Sequence, residues 1–323
     1  MEPSLRLFPT ADIGAFVANG SVVAFNVGPE EKFYFVVAHE PLDYRIERPS
    51  GSTFAKINPE QPQNYRVVVL SGDRADLDVD VRNEPFNIHD VQPLSSSGLL
   101  LVCGRSRFRG TDDFDRNGRI YSRDGRFAHE ISLGDGIQSV QATSNAVIWT
   151  SYFDEGVFGN YGWESPIGSA GLVAWDSSGR KLYEFVPPNK LESICDCYAL
   201  NVESDAVAWC YYYTQFPLVR IRTFEVDGVW NVPIHGSDAF AVSGDLALFR
   251  GAYKQRDTYN LIALQSEGKA TIKAQLHLRD EFGEVLIAER VVGRGNSIYL
   301  LRGTRIYRLN VERVANFVRE KND

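Results

Sequence analysis

A repeating unit constrains the fold of this 323-residue chain more than any other feature. Each copy has two short apolar strands around a tight turn, and residues 11–25 (ADIGAFVANGSVVAF) align without a gap to residues 135–149 (DGIQSVQATSNAVIW). Runs of four or five apolar residues are typical of strands buried on both faces. The turns of the six copies lie at Gly20, Ser97, Ser144, Ser204, Gly244 and Gly295. Their average spacing of 55 residues predicts a modular fold in which neighbouring units bury one another.

A second repeated element, two alternating strands joined by a turn, lies between these apolar pairs. Asp-Gly and related dipeptides at such turns are strong hairpin signals. The glycines at the turns are Gly72, Gly125, Gly179, Gly228 and Gly268. An apolar pair followed by a hairpin predicts one four-stranded antiparallel sheet in each copy, with strands that we label A to D.

The sixth copy ends after its C strand, TRIYRLN. Residues 4–9 precede the first apolar pair as a D strand would, so we predict that they complete the last sheet. In residues 311–323, Val311, Val314, Phe317 and Val318 fall at helical spacing and predict a short C-terminal helix.

This arrangement resembles a six-bladed β-propeller over essentially the whole chain. The resemblance is WD40-like only in this broad sense, since the sequence lacks a WD dipeptide pattern repeated from blade to blade, the kelch double glycine and the sialidase S-x-D-x-G-x-x-W box. It implies an all-β fold with one domain over residues 1–310 and a ring closed by the N-terminal strand. Residues 28–63 lengthen the first copy and are predicted as an insertion, with a seventh blade as the alternative.

The composition argues against several classes of function. Lys and Arg number 34 against 42 Asp and Glu, giving a net charge of −8, which argues against nucleic acid and suits a basic partner. The sequence has no apolar run of membrane-spanning length and no secretory signal, so we expect a cytoplasmic monomer that does not bind membranes. Cys195 and Cys197 lack the second ligand pair of a structural zinc site.

Propellers usually carry their ligand site around the channel mouth, where the D–A and B–C connections lie. The alignment of the copies places five acids in D–A connections: Asp12, Asp90, Asp135, Asp196 and Asp238. Converging carboxylates could hold a cation or a basic partner. The alternative is that each caps its own turn.

Residues 113–118 (DFDRNG) match the first half of a calcium-binding loop, so Ca²⁺ is the one cofactor that the sequence suggests. The ligands would be Asp113, Asp115 and Asn117. The twelfth position is Asp124 instead of the usual Glu. The alternative is a polar loop whose acids pair with neighbouring arginines.

Aromatic residues crowd two B–C connections. A surface for a protein partner is predicted because exposed rings beside arginines are enriched at interfaces. Its residues would be Phe153, Phe158, Tyr161, Trp163, Tyr211, Tyr213, Arg105, Arg107 and Arg109. The alternative is that the rings pack between blades.

Catalytic signatures are missing: the sequence has no G-x-S-x-G, no H-E-x-x-H and no P-loop. We therefore expect a non-catalytic propeller that engages a protein partner through its top-face loops, for example an immunity or inhibitor protein for a basic toxin. The alternative is a lactonase-like hydrolase or a lyase at the channel mouth. Its general base would be His89 or His235, beside Asp90 or Asp238.

Overall fold

The computed structural model describes residues 3–18, 20–47, 53–94, 98–188 and 191–322. It confirms the predicted class: the chain is a six-bladed β-propeller built from six four-stranded antiparallel sheets, one of them extended by a fifth strand. The chain divides into two compact units, Ala15–Val186 (the middle unit) and Met1–Gly14 with Pro187–Asp323 (the terminal unit). Each unit holds three blades, and the single domain predicted over residues 1–310 remains a prediction.

Two short strands, β1 (Ser4–Arg6) and β2 (Pro9–Asp12), begin the chain. β2 pairs antiparallel with residues 305–307 and completes blade 6. The predicted segment, residues 4–9, was thus placed slightly too early. β1 instead pairs in parallel with residues 277–279 of blade 5, because Leu5 and Leu7 alternate into the core beside that blade.

Blade 1 is one strand out of register with the sequence prediction. Its strands, with a small hairpin between B and C, are β3 (Ser21–Val27), β4 (Phe33–Ala38), β5 (Arg45–Glu47), β6 (Thr53–Ala55), β7 (Gln63–Ser71) and β8 (Arg74–Glu84). SVVAF is strand A, not strand B. The reason is a tight turn at residues 28–32, where the Gly28 N–H bonds the Lys32 carbonyl and Glu31 has φ 57°. The insertion therefore begins at residue 39 instead of 28 and contains the β5–β6 hairpin.

Blades 2 and 3 follow the predicted order. The strands of blade 2 and of the hairpin in its B–C connection are β9 (Asp90–Leu94), β10 (Gly98–Val102), β11 (Phe108–Gly110), β12 (Asp113–Phe114), β13 (Gly118–Ser122) and β14 (Phe127–Ile131). Blade 3 consists of β15 (Ile137–Ala142), β16 (Ile148–Tyr152), β17 (Leu172–Trp175) and β18 (Lys181–Glu184), with helix α1 (Asp154–Phe158) in its B–C connection. The predicted turn residue Ser97 lies outside the described residues.

The terminal unit holds blades 4 to 6. Blades 4 and 5 are β19 (Asp196–Val202), β20 (Val207–Tyr213), β21 (Pro217–Arg222), β22 (Glu225–Asn231), β23 (Phe240–Ser243), β24 (Leu246–Arg250), β25 (Thr258–Leu264) and β26 (Ala270–Arg279). The predicted turn at Gly228 is wrong, because the turn lies at Thr223 and Phe224, both with positive φ. Gly228 instead lies within β22, where a Cβ would approach the Trp230 ring to 2.4 Å.

Blade 6 and the C-terminal helix complete the chain. Their bounds are β27 (Arg290–Arg294), β28 (Ser297–Arg302), β29 (Arg305–Asn310) and α2 (Val311–Asn322). The Asn310 Oδ1 accepts the Glu312 N–H at 2.9 Å and caps the first turn of α2. Val311 and Val314 are buried against the core of the terminal unit. In the described part of the chain, neither helix has the length and apolar character needed to cross a bilayer.

Candidate interaction site

Arg105 is the buried centre of two long connections in the middle unit. Its Nε and Nη2 donate to the two carboxylate oxygens of Asp135 at 2.9 and 2.8 Å, and its Nη1 lies 2.5 Å from a carboxylate oxygen of Glu155 on α1. Burial raises the pKa of Asp135, while the charge and hydrogen bonds of Arg105 oppose that rise. A bidentate pair of this kind fixes both partners geometrically. The connections of blades 2 and 3 are therefore held together by a desolvated ion pair.

Two glycines let α1 approach this ion pair. Gly136 has φ 69°, and a Cβ there would lie 2.2 Å from the backbone nitrogen of Gly156. No side chain could be accommodated without moving the helix. The position of α1 is therefore set by backbone contact.

Tyr161 packs its ring on the same guanidinium. Its ring centroid lies 4.5 Å from the Cζ of Arg105 and 5.6 Å from that of Arg107, both within cation–π range. Its hydroxyl donates to the Ala55 carbonyl at 2.8 Å, which ties the loop to the insertion of blade 1. Its φ of 48° is unusual for a side chain of this size. Phe153 contacts Arg105 as well, at 5.2 Å.

Trp163 is not the exposed contact that the sequence predicted, because only 7% of it is accessible. Its Nε1 donates to the Ser106 carbonyl at 2.9 Å. Its ring packs on Phe108 and Phe114 of the β11–β12 hairpin, with centroids 5.0 and 5.9 Å away. Trp163 therefore holds the loop onto the hairpin. A cleft of about 430 Å³ opens beside it, lined by Phe108, Arg109, Gly162, Trp163, Glu164 and Ser165.

The exposed side chains of these connections include one large aromatic ring and two arginines. Phe158, the last residue of α1, is 67% exposed. Arg107 and Arg109 are exposed as well. We call the exposed part of residues 104–117 and 153–171 the Arg105 surface.

The residues of the predicted calcium loop are engaged by protein groups. Asp113 and Asp115 share Arg109, whose Nε and Nη2 donate to them at 2.8 Å each. The Asn117 side chain donates to the carbonyls of Cys103 and Gly134 instead. A calcium ion would have to displace the Arg109 guanidinium from both carboxylates, and binding here stays a prediction. Within the described ranges, no group of three or more His, Cys, Asp and Glu side chains could hold a metal ion.

The predicted channel-mouth acids have different surroundings. Asp12 is the last residue of β2, a D strand, and so begins a D–A connection, where its Oδ1 accepts the Gly14 N–H. Asp90 accepts the side chain of Asn26 at 2.7 Å, and Asp238 pairs with Arg250 and, through the same oxygen, Arg256. Asp196 is half-buried at the start of β19.

The two histidines considered for catalysis are held by neighbours. The His89 Nδ1 accepts the Gly104 N–H at 3.2 Å, and its ring meets the edge of Tyr44. His235 is exposed and stacks on Phe216, with ring centroids 5.2 Å apart. The catalytic alternative stays a prediction.

The second predicted aromatic group lies in the terminal unit and is divided between core and surface. Tyr211 is fully buried, and its hydroxyl donates to the Ile234 carbonyl, so its prediction as a partner contact is wrong. Tyr213 is exposed and packs edge-on against Phe216. Tyr211 lies within β20, whereas Tyr213 is its last residue, so the two differ in burial although side chains two positions apart share one face of a strand.

Sequence reasoning missed the exposed apolar side chains of residues 280–289 (DEFGEVLIAE), which are Phe282, Val285 and Ile287. The sequence signal was a run of four apolar residues, 285–288 (VLIA), within a D–A connection.

Comparisons with known proteins do not assign this chain to a family. Residues 168–309, less than half of the chain, match the model of the YxzG family. Among solved structures, a chain in the crystal structure of the mitotic checkpoint complex is similar, with 8% sequence identity and a TM-score of 0.47 over 90% of this chain and 87% of that chain. No curated protein matches the sequence.

Proposed function

We propose that this propeller is a non-catalytic binding protein that engages a protein partner through the Arg105 surface. The observation that carries the proposal is the exposed Phe158 ring on a helix anchored by the buried Arg105–Asp135 pair and the partly exposed Glu155. Exposed aromatic rings beside arginines are typical of binding hot spots. A surface that is already ordered pays less conformational entropy on association.

The charge of this surface favours a basic partner. Residues 104–117 and 153–165 contain six acids and four arginines, within a chain of net charge −8. Complementary charge accelerates association and suppresses wrong partners. An immunity protein that blocks a basic toxin or nuclease is the concrete form of the proposal.

The test is an affinity capture with a matched pair of variants. Tagged wild-type chain, Phe158→Ser and Val186→Ser would each be incubated with an extract of the source cells, with calcium or with a chelator. Val186 is the matched control because it is 72% exposed in the same unit. Partner stoichiometry would be read by mass spectrometry, and affinity by calorimetry with the purified partner.

We expect one stoichiometric, basic partner with wild type and with Val186→Ser, and binding weaker by at least about tenfold with Phe158→Ser. Equal binding by the two variants would show that the partner uses another surface. Absence of any stoichiometric partner in both buffers would contradict the proposal.

A further inference from the structure

The connection between blades 5 and 6 presents an ordered apolar face to solvent. After β26 the chain turns at residues 280–283, where the Asp280 Oδ1 accepts the N–H groups of Phe282 and Glu284 at 3.0 and 2.9 Å. The Leu286 N–H then bonds the Leu278 carbonyl at 3.0 Å, so the segment runs back along the end of β26. It is fixed at both ends of the turn.

Side chains alternate along this returning segment. Leu286 and Ala288 are buried in the core of the terminal unit, whereas Val285 and Ile287 point outward, the latter 59% exposed. Phe282, in the turn, is 67% exposed. Three large apolar side chains thus face solvent within six positions. Clustered exposure of this kind, in contrast to scattered single residues, marks interaction sites.

All the charged side chains within this loop are acidic. Residues 280–289 include four acids and no Lys or Arg. Arginines of blade 6 pair with three of them: Arg302 lies 2.9 Å from Asp280 and 3.5 Å from Glu284, and Arg305 lies 2.7 Å from Glu281. The lining of the adjacent cleft still has more acids than arginines, with Asp12, Asp280, Glu284 and Glu289 against Arg302 and Arg305. Glu284 and Glu289 remain exposed at the rim of this cleft of about 420 Å³, of which the Phe282 ring forms part of the wall.

We propose that this face binds a basic amphipathic segment of a protein partner. The apolar side chains of the segment would cover Phe282, Val285 and Ile287, while its Lys or Arg side chains would lie beside Glu284 and Glu289. Charge complementarity selects a basic occupant over an acidic or neutral one. The proposal stands apart from the Arg105 surface, since every residue that carries it belongs to the terminal unit.

The probes are three fluorescein-labelled synthetic peptides of equal length. One alternates leucine with lysine, the second replaces each lysine by glutamate, and the third replaces each leucine by serine. Binding to the full chain would be measured by fluorescence anisotropy. The site variants are Val285→Ser combined with Ile287→Ser, and Glu284→Lys.

Two controls separate specific docking from general attraction to an acidic protein. Glu225→Lys makes the same charge change at an exposed position of the same unit. Phe158→Ser removes the exposed ring of the Arg105 surface, so the two proposals can fail independently. Circular dichroism would verify that each variant is folded.

We expect the leucine–lysine peptide to bind at least about tenfold more tightly than either of the others, because both apolar contact and charge are required. Both site variants should weaken its binding by a similar factor, and both controls should leave it unchanged. The proposal is overturned if the three peptides bind alike, if the leucine–lysine peptide does not bind, or if Glu225→Lys weakens binding as much as Glu284→Lys.

Discussion

Asn26 and Asn201 occupy equivalent positions in the two units. Each lies on strand A of the first blade of its unit, and its Nδ2 donates to a carbonyl in the third blade, Val140 at 2.9 Å for Asn26 and Gly295 at 3.0 Å for Asn201. The same nitrogen also donates into the second blade, to the Asp90 carboxylate in one unit and to the Phe240 carbonyl in the other. One buried amide therefore ties together the inner strands of each three-blade unit.

Replacing Asn201 by leucine should destabilise the protein strongly. The change removes two donated bonds and the bond that its Oδ1 accepts from the Gly295 N–H at 2.7 Å, and it leaves buried backbone groups without partners. Each such group costs about 1–3 kcal/mol, so we expect a loss of about 3 kcal/mol in the free energy of unfolding, measured by urea denaturation. Asn316→Leu, on the exposed side of α2, is the control and should change it little. A similar small effect of both substitutions would contradict this role for Asn201.

The matching positions of Asn26 and Asn201 also correspond to a sequence pattern that was not recognised in the sequence analysis. Strand A of blade 1 and strand A of blade 4 both end in Asn-Val, at residues 26–27 and 201–202. Because these blades are three apart, the pattern recurs every third blade, in addition to the repeat of the single blade. The assignment of SVVAF to strand B of blade 1 concealed this three-blade pattern. SVVAF and FYFVV are both continuous apolar runs, and local composition does not decide which is strand A when the turn at residues 28–32 is read as loop.

The blades were predictable because they depend on local signals, apolar runs and turn residues that repeat. The candidate site was less predictable than the blades, because its key contacts join residues distant in sequence. Arg105 and Asp135 lie thirty positions apart in different blades, and nothing local distinguishes a buried arginine from the exposed Arg107. Trp163 was misassigned for a similar reason: the glycines around it indicate a loop but not the Phe108 and Phe114 rings that cover it.

Trp163→Ala should loosen the loop of residues 153–171, whereas Phe158→Ala should leave its order unchanged. Removing the buried indole deletes its packing and its bond to Ser106, at a cost of about 3 kcal/mol or more. Removing the exposed Phe158 ring should cost less than about 0.5 kcal/mol. Hydrogen exchange over residues 153–171 would check this, with faster exchange expected only for Trp163→Ala. Unchanged exchange in that variant would refute the anchoring role of Trp163.

Arg119→Met should produce a stability defect that depends on pH. Its partner Glu84 is fully buried, accepts the Phe86 N–H at 3.0 Å and also accepts the Tyr121 hydroxyl, and burial raises the pKa of Glu84 against the opposing effect of these groups. Without Arg119, the buried carboxylate loses its counter-ion at 3.2 Å, a change that typically costs about 3–5 kcal/mol. Because a raised folded-state pKa favours the protonated form, the unfolding free energy of the variant should rise as the pH falls from about 8 to about 5.

The control for this prediction is the double variant Glu84→Gln, Arg119→Met. It carries no buried carboxylate, so it should recover at least half of the lost stability at the higher pH and should lack the steep pH dependence. Urea denaturation at both pH values measures both effects. Equal losses in the single and double variants would mean that Arg119 stabilises the fold by packing on Phe86 and Phe127 instead.

Asp176 should stabilise the C–D turn of blade 3 only while it is ionised. Its side chain accepts hydrogen bonds from the Ser178 hydroxyl and, in addition, from the backbone N–H groups of Ser178 and Arg180, and these bonds lower the pKa of Asp176 to about 2. A depressed folded-state pKa contributes stability that is complete above the unfolded value and is lost as the pH falls through the folded value. Asp176→Ala should therefore cost about 1 kcal/mol near neutral pH, and the difference from wild type should shrink between about pH 4 and pH 2.

The matched control is Asp73→Ala, at the exposed C–D turn of blade 1, which should have little effect at any pH. Thermal unfolding of both variants and of wild type across this pH range, together with NMR titration of the Asp176 carboxyl in wild type, would test the prediction. A pH-independent cost at Asp176 would instead indicate that the loss comes from turn geometry, since a carboxyl with the same pKa in the folded and unfolded states adds no pH dependence to stability.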